Sequence, residues 1–272
     1  MKTTTLNFIC LLIGLSAFSQ TELERVYLCK YNFAYQRDSS SKEKSRDLMV
    51  LDIGKNYSRY YSELRQIGVK QVADDLKSKS AGNVINLGEV STSTYTHYDK
   101  ETEIIYNNFL QNRLKIFDAF GRKPSFYYDT VSIPDWQIIE DTMSILNQIC
   151  QKAVCSFKGR NYIAWFASSI PIQLGPWQFN GLPGLILKIS DDKNQFMWEC
   201  FELTIKPLKE PVYSAYENAM ETTKAKTRER KKLFLTEPLA FDQLEWGVTV
   251  TFDNKSVQPK KPKPFNPIDL TY

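Results

Sequence analysis

Chemistry needs side chains of particular types within reach of one another, and this chain offers few such sets. His97 is its single histidine. In Thr96-His97-Tyr98-Asp99 it has a carboxylate two residues on, a pairing that could polarise a serine hydroxyl or a water. No GxSxG elbow and no HExxH helix accompanies it. A histidine on the solvent face of a strand is the simpler reading. Adjacent acids stand at Asp74-Asp75, Glu140-Asp141 and Asp191-Asp192. On a strand such neighbours point to opposite faces, so they do not converge on one scissile bond. Asp191-Asp192-Lys193-Asn194 also lacks the alternating acids and central glycine of a calcium loop. No catalytic residue, metal site or cofactor is expected, and the chain reads as a non-enzyme.

The residues that stand out are suited to binding. Arg160, in Lys158-Gly159-Arg160, is placed to lay a guanidinium across Trp165 or Trp177, or to pair with an acid. Trp177 and Phe179 flank a tight turn, where loop aromatics either cap a core or anchor a partner. The turn itself runs Asn180-Gly181-Leu182-Pro183-Gly184. Pro183 supplies φ near −65°, and Gly184 is expected at the positive φ of a type II turn, with Asn180-Gly181 a second site tolerant of positive φ. Cys29, Cys150, Cys155 and Cys200 remain once Cys10 is set aside. No CxxC pair is present, which weighs against a metal site. An even number of cysteines in an exported chain makes two disulfides the expectation, with three connectivities open. Cys150 and Cys155, an odd number of residues apart, would face opposite sides of one strand.

Export itself follows from the first residues. Lys2 precedes an apolar run from Leu6 to Leu15, and Ala17 and Ser19 are the small residues of a cut before Gln20. Residues 1–19 therefore read as a secretory signal peptide, too short in its apolar run to span a membrane. Cys10 lies inside that run and not just after the cut, so a soluble exported protein is expected, periplasmic and either free or associated with the outer membrane, with no transmembrane span. A net charge of +4, mixed in sign along the chain, gives no reason to propose nucleic acid as a partner. Hydrophobic residues at 42% and aromatics at 13% supply a sizeable core.

The elements that must position these residues are strands. Residues 24–35 alternate, 47–61 form two strands about Gly54-Lys55-Asn56, and strand character returns at 95–106, 114–120 and 125–132. From Trp136 to Ile205 short strands joined by turns read as an antiparallel meander. Helical spacing appears at 64–80 and at 213–234. The latter ends in a basic run that suits a helix C-terminus. The tail, 260–272, carries Pro262, Pro264 and Pro267 and is expected to be extended. The whole is expected to be one mainly β domain over 20–272 with one or two helices, a curved antiparallel meander of half-barrel or sandwich type.

Gly181-Leu182-Pro183-Gly184-Leu185-Ile186 resembles the signature of the GLPGLI family of exported proteins of Bacteroidetes-type bacteria. Cys150-Gln151-Lys152-Ala153, Phe157-Lys158-Gly159-Arg160, Ala164-Trp165-Phe166, Gly175-Pro176-Trp177 and Asn266-Pro267-Ile268 are similar to the family's pattern in the same order. Leu51 to Lys55, Tyr57-Ser58 and Trp136 fit it too. Gln148 stands where the family often has an aromatic, and the 213–234 helix is long. The resemblance implies a β-rich envelope protein without an assigned activity, often encoded beside outer-membrane TonB-dependent transporters. Two roles follow as expectations. One is an accessory or docking subunit of such a transporter, with Arg160, Trp165, Trp177 and Phe179 as partner-binding candidates. The alternative is a periplasmic carrier holding a lipid or other apolar ligand in a concave sheet face.

Overall fold

The computed structural model describes residues 24–68, 100–118, 124–204, 208–209, 219–246 and 264–271. His97, Asp99 and most of the 64–80 stretch lie outside the described residues. Two antiparallel meanders build the molecule. The first comprises β1 (Glu24–Tyr35), β2 (Ser45–Gly54), β3 (Tyr57–Ser62), β4 (Glu103–Asn108), β5 (Arg113–Asp118) and β6 (Ser125–Thr130). The second comprises β7 (Gln137–Ile145), β8 (Gln148–Phe157), β9 (Arg160–Ala167), β10 (Leu185–Asp191) and β11 (Phe196–Thr204). Pairing of β1 with β11 fuses them into one open sheet, ordered β6-β5-β4-β3-β2-β1-β11-β10-β9-β8-β7. Two short strands complete it. β12 (Leu208–Lys209) pairs with β1, and β13 (Met220–Glu221) lies parallel to β6.

Alternation of side chains decides which face is the core. Phe33, Met49, Leu51, Tyr60, Ile105, Ile116 and Tyr127 lie on one face of the first half. Trp198, Ile189, Ala164, Ala153 and Phe157 continue it across the second, and all are buried. The register aligns them in rows, with Phe33 opposite Trp198 and Trp198 opposite Ile189. Each Leu, Ile, Met or Phe among them taken from water is worth about 1.5–3 kcal/mol. The rings on this face stack edge-up along the sheet. Tyr35 and Trp198 each lie 4.5 Å from Phe33 on either side, with interplanar angles of 8° and 11°.

The loop from Ser168 to Gly184 folds back onto this face. Its backbone is fastened by Leu185 N–H to Ile170 O, Ile186 N–H to Leu174 O and Gly181 N–H to Gln173 O. Phe179 sits 4.7 Å from the Tyr162 ring and 5.8 Å from Trp198. The same loop approaches Leu51, Tyr60, Ile105 and Leu114 in the other meander. One short loop touching both halves requires the sheet to curl around it, and this fits the expected curved meander.

The turn chemistry differs from expectation. Gly181 has φ +90°, but Gly184 is not among the residues with positive φ. Gly184 N–H instead bonds Leu182 O at 2.8 Å, a three-residue turn centred on Pro183, whose fixed φ suits it. Gly184 is needed for space, because a Cβ there would lie 2.3 Å from the carbonyl oxygen of Ala167.

The described helix of this region begins at Lys224, and residues 213–218 of the expected 213–234 helix lie outside the described residues. After α1, described over residues 63–68, α2 covers Lys224–Thr236 and α3 covers Pro238–Trp246. Thr223 caps α2 by accepting from Lys226 N–H, which fixes its start well past Tyr213. α3 packs on α2 through Phe234 and Phe241 and through Arg230 with Glu245. Among the described residues no helix is long and apolar enough to cross a membrane.

The expected disulfides are not formed. Cys29, Cys150, Cys155 and Cys200 are all buried free thiols. Sheet order distributes the four over three strands. Cys150 and Cys155 share β8, which stands three strands from Cys200 on β11 and four from Cys29 on β1. Burial drives the thiol of Cys150 up to about 11 and those of Cys155 and Cys200 up to about 12.

Candidate functional site

One end of the inner face is left uncovered by the 168–184 loop and is roofed instead by α2 and residues 264–271. Between them lies a cavity of about 120 Å³. Its floor is aromatic, with Phe33, Tyr60, Tyr127, Trp177, Phe196 and Trp198 around it. Trp198 is held by its indole N–H, which donates to the Tyr60 hydroxyl at 2.7 Å.

Two groups of charge sit in the walls. In the first, Lys231 of α2 reaches Glu101 at 2.9 Å, Glu103 at 3.1 Å and Asp118 at 3.6 Å. Thr102 donates to Asp118 Oδ1 at 2.5 Å, while Asp118 Oδ2 has no hydrogen-bond partner. Burial would raise both Asp118 and Glu101, but the lysine is shared unequally. Asp118 is pushed up to about 7 by burial, only partly opposed by Lys231. Glu101 is brought below its ordinary value, its burial outweighed by Lys231 and Arg37. Burial also works against the charge on Lys231, yet Asp118, Glu101 and Glu103 hold its pKa well above the usual value.

In the second group, Lys224 reaches Asp129 at 3.0 Å and Asp269 at 3.2 Å, and Lys158 lies 3.7 Å from Asp269. Arg228 donates to the carbonyls of Asp269 and Thr271. Asp269 stays below its ordinary value despite its burial, through Thr271 hydrogen bonds and the two lysines.

Arg160 fixes the roof. Its guanidinium donates to Asn266 Oδ1 and Pro267 O, both at 2.7 Å, and its Nε to Ile268 O at 3.2 Å. The remaining nitrogen serves Gln195 at 2.7 Å and Asp191 at 3.3 Å, and the group lies 4.6 Å above the Phe196 ring. Asn266 in turn bonds Gln36 O and Arg37 O through its side-chain and backbone N–H groups. Residues 264–271, the described part of the tail, are thus strapped down. Phe157 to Arg160 and Asn266 to Ile268, distant in sequence, are one site.

The residues singled out from sequence fall into separate roles. Arg160 pairs with an acid and stacks on Phe196, not on Trp165 or Trp177. Trp177 and Phe179 are 7% and 1% exposed, so they cap the core and cannot serve as displayed anchors. Trp165 is half-buried, with Lys152 Nζ 5.8 Å over its ring. Asn180 is structural: its carbonyl accepts from Trp136 Nε1 and its amide donates to Ser132 O. Asp118, Lys231 and Thr227 escaped notice. Asp118 did carry a signal, since Leu114, Ile116 and Asp118 share one face of β5 and a carboxylate at a core parity demands a partner. Lys231 was hidden among the many cations of α2.

Three buried polar atoms on residues bordering the cavity have no hydrogen-bond partner: Asp118 Oδ2, Trp177 Nε1 and Thr227 Oγ1. Among the described residues no set of three His, Cys, Asp or Glu side chains is placed to hold a metal ion.

Residues 156–188 match the model of a family described as a protein of unknown function (Porph_ging). That stretch holds Arg160, the 168–184 loop and the hexapeptide at 181–186. Two solved structures of PNGF-II, in P21 and C2 space groups, are similar in fold, with TM-scores of 0.52 and 0.50. Identity is 13% and 14%, and each match covers 75% of this chain and 32% of PNGF-II. The chain thus spans about a third of the length of those proteins. No curated protein matches.

Proposed function

We propose that this chain is an exported, GLPGLI-type envelope protein that binds a small ring-bearing molecule between its sheet and its α2–tail roof, without transforming it. The cavity carries the reading. It joins an aromatic floor to three buried polar atoms that lack hydrogen bonds, and such atoms are rare unless something satisfies them. Its size narrows the ligand. An apolar cavity of about 150 Å³ takes one benzene, so about 120 Å³ suits a single small ring and is too small for a lipid chain. The test is calorimetric titration of the protein with benzyl alcohol, benzylamine and benzoate. Saturable binding of at least one probe, abolished by Thr227→Trp in a variant of unchanged circular dichroism, is the expected result. Binding that survives that substitution, or none at all, overturns the proposal.

Docking on an outer-membrane protein of the TonB-dependent transporter type has a separate observation in its favour. Strand ends on the side away from the cavity carry exposed apolar residues: Leu110 at 74%, Ile133 at 70% and Ile149 at 74%. This surface replaces Trp177 and Phe179 as the place a partner would touch. Co-purification from native membranes should lose a stoichiometric transporter when Leu110 and Ile149 are changed to Glu. Unchanged capture would exclude this surface.

A further inference from the structure

We infer that the ligand carries a cationic nitrogen donor, of the primary amine class, and that the Asp118 carboxylate receives it. This rests on the cavity reading above and specifies its chemistry. The charges bordering the cavity are segregated. On one side Lys158, Lys224 and Arg228 meet Asp129, Asp269 and the carbonyls of Asp269 and Thr271, so cations there are well supplied with acceptors. On the other side Glu101, Glu103 and Asp118 converge on Lys231. All three carboxylates share Lys231, and Arg37 also helps to lower Glu101.

One of the three stands apart. Asp118 is the farthest of the three from Lys231, and its Oδ2 lacks a hydrogen bond. It is also fully buried, and an undercompensated buried charge is costly. Two states relieve that cost: a proton on Asp118, or a donor cation beside it. Its value near 7 reflects the first in the empty site. Thr227, one helical turn before Lys231 on α2, adds a second unpartnered oxygen among the cavity's lining residues. Tyr127 and Trp198 supply the aromatic surroundings that favour a desolvated cation. The groups bearing on Asp118 are Lys231 of α2, Glu101 and Glu103 at the start of β4, Thr102, and Tyr127 of β6.

The discriminating experiment compares benzylamine with benzyl alcohol and benzoate on the intact protein at about pH 8, where Asp118 is ionised. Benzylamine should bind at least about tenfold more tightly than benzyl alcohol, a difference of about 1.4 kcal/mol. Asp118→Asn should bring the two within about twofold. Equal binding of amine and alcohol, both blocked by Thr227→Trp, would leave the cavity reading standing and overturn the amine. Preference for benzoate would do the same. Binding by none of the three would sink both. Should Asp118→Asn fail to fold, the wild-type protein supplies a second readout at about pH 6.5, below the Asp118 pKa. There benzylamine should expel a proton, detected as a buffer-dependent heat, and benzyl alcohol should not. No proton release on benzylamine binding overturns the inference.

Discussion

Asp118 holds its proton to about pH 7 because burial outweighs the attraction of Lys231. In an unfolded chain the same carboxyl ionises near 4. Between those values the folded state keeps a proton that the unfolded state has released, so this residue makes stability fall as pH rises from about 4 to about 7. Above that window the penalty is constant, and below it there is none. Asp118→Asn removes the titration with little change of shape. Relative to wild type, the variant should therefore gain stability between pH 5 and pH 8. Asp47, raised to about 6 by its own burial, is common to both proteins and cancels. Urea midpoints at the two pH values measure the gap, and a gap independent of pH would mean Asp118 is ionised throughout. The sequence contained half of this argument. The parity of β5 aims Asp118 inward, but the three other charged groups that settle its ionisation come from β4 and α2, which no spacing rule brings together.

Two elements fix the roof and the floor of the cavity, and each has a weak point. The 168–184 loop depends on Gly184, where a methyl group would press on the Ala167 carbonyl. The obstacle is backbone, so it has no rotamer to escape into. Gly184→Ala should cost about 1–3 kcal/mol. Gly181→Ala meets mainly the Ile133 side chain, which can move, and should cost about 1–2 kcal/mol from its positive φ. Chemical denaturation orders the two, and the reverse order would make φ the dominant constraint. The 264–271 strap depends on Arg160. Lysine keeps the charge beside Asp191 but cannot reach Asn266, Pro267 and Ile268 together. Arg160→Lys should cost about 1–3 kcal/mol and speed amide exchange at residues 266–270 while β10 stays protected. Exchange unaltered along the strap would show that Arg228 and Asn266 suffice. Turn residues at 181–184 were visible in the sequence because Gly and Pro announce local geometry. Which glycine supplied φ and which supplied space was not, since space is set by Ala167, a neighbour in the fold only.

At the scale of the molecule, strand periodicity placed nearly every strand of both meanders, because a two-residue alternation survives in any half-buried antiparallel sheet. The fusion of the meanders through β1 and β11 was not legible, nor was the order it imposes. That order spreads the cysteines over three strands. Four buried thiols distributed over β1, β8 and β11 should resist iodoacetamide in the native protein at about pH 8, where burial keeps them protonated. All four should label in denaturant with no reductant added. A thiol that labels only after reduction would mean that a bridge forms. Cys29 and Cys200, on neighbouring strands, are the pair to watch.

Trp177 and Trp198 border the cavity, one with an indole N–H that has no hydrogen-bond partner and one bonded to Tyr60. Trp198 also belongs to the row of closely stacked rings with Phe33 and Tyr35. Indole emission follows the polarity and hydrogen bonding around the ring, and coupled rings in a rigid stack give signed bands in near-ultraviolet dichroism. If the proposed ligand fills the space between sheet and roof, it should therefore change the light this protein absorbs and emits. Such a signal would be an optical gauge of occupancy, readable without a label and while other proteins are still being separated from it.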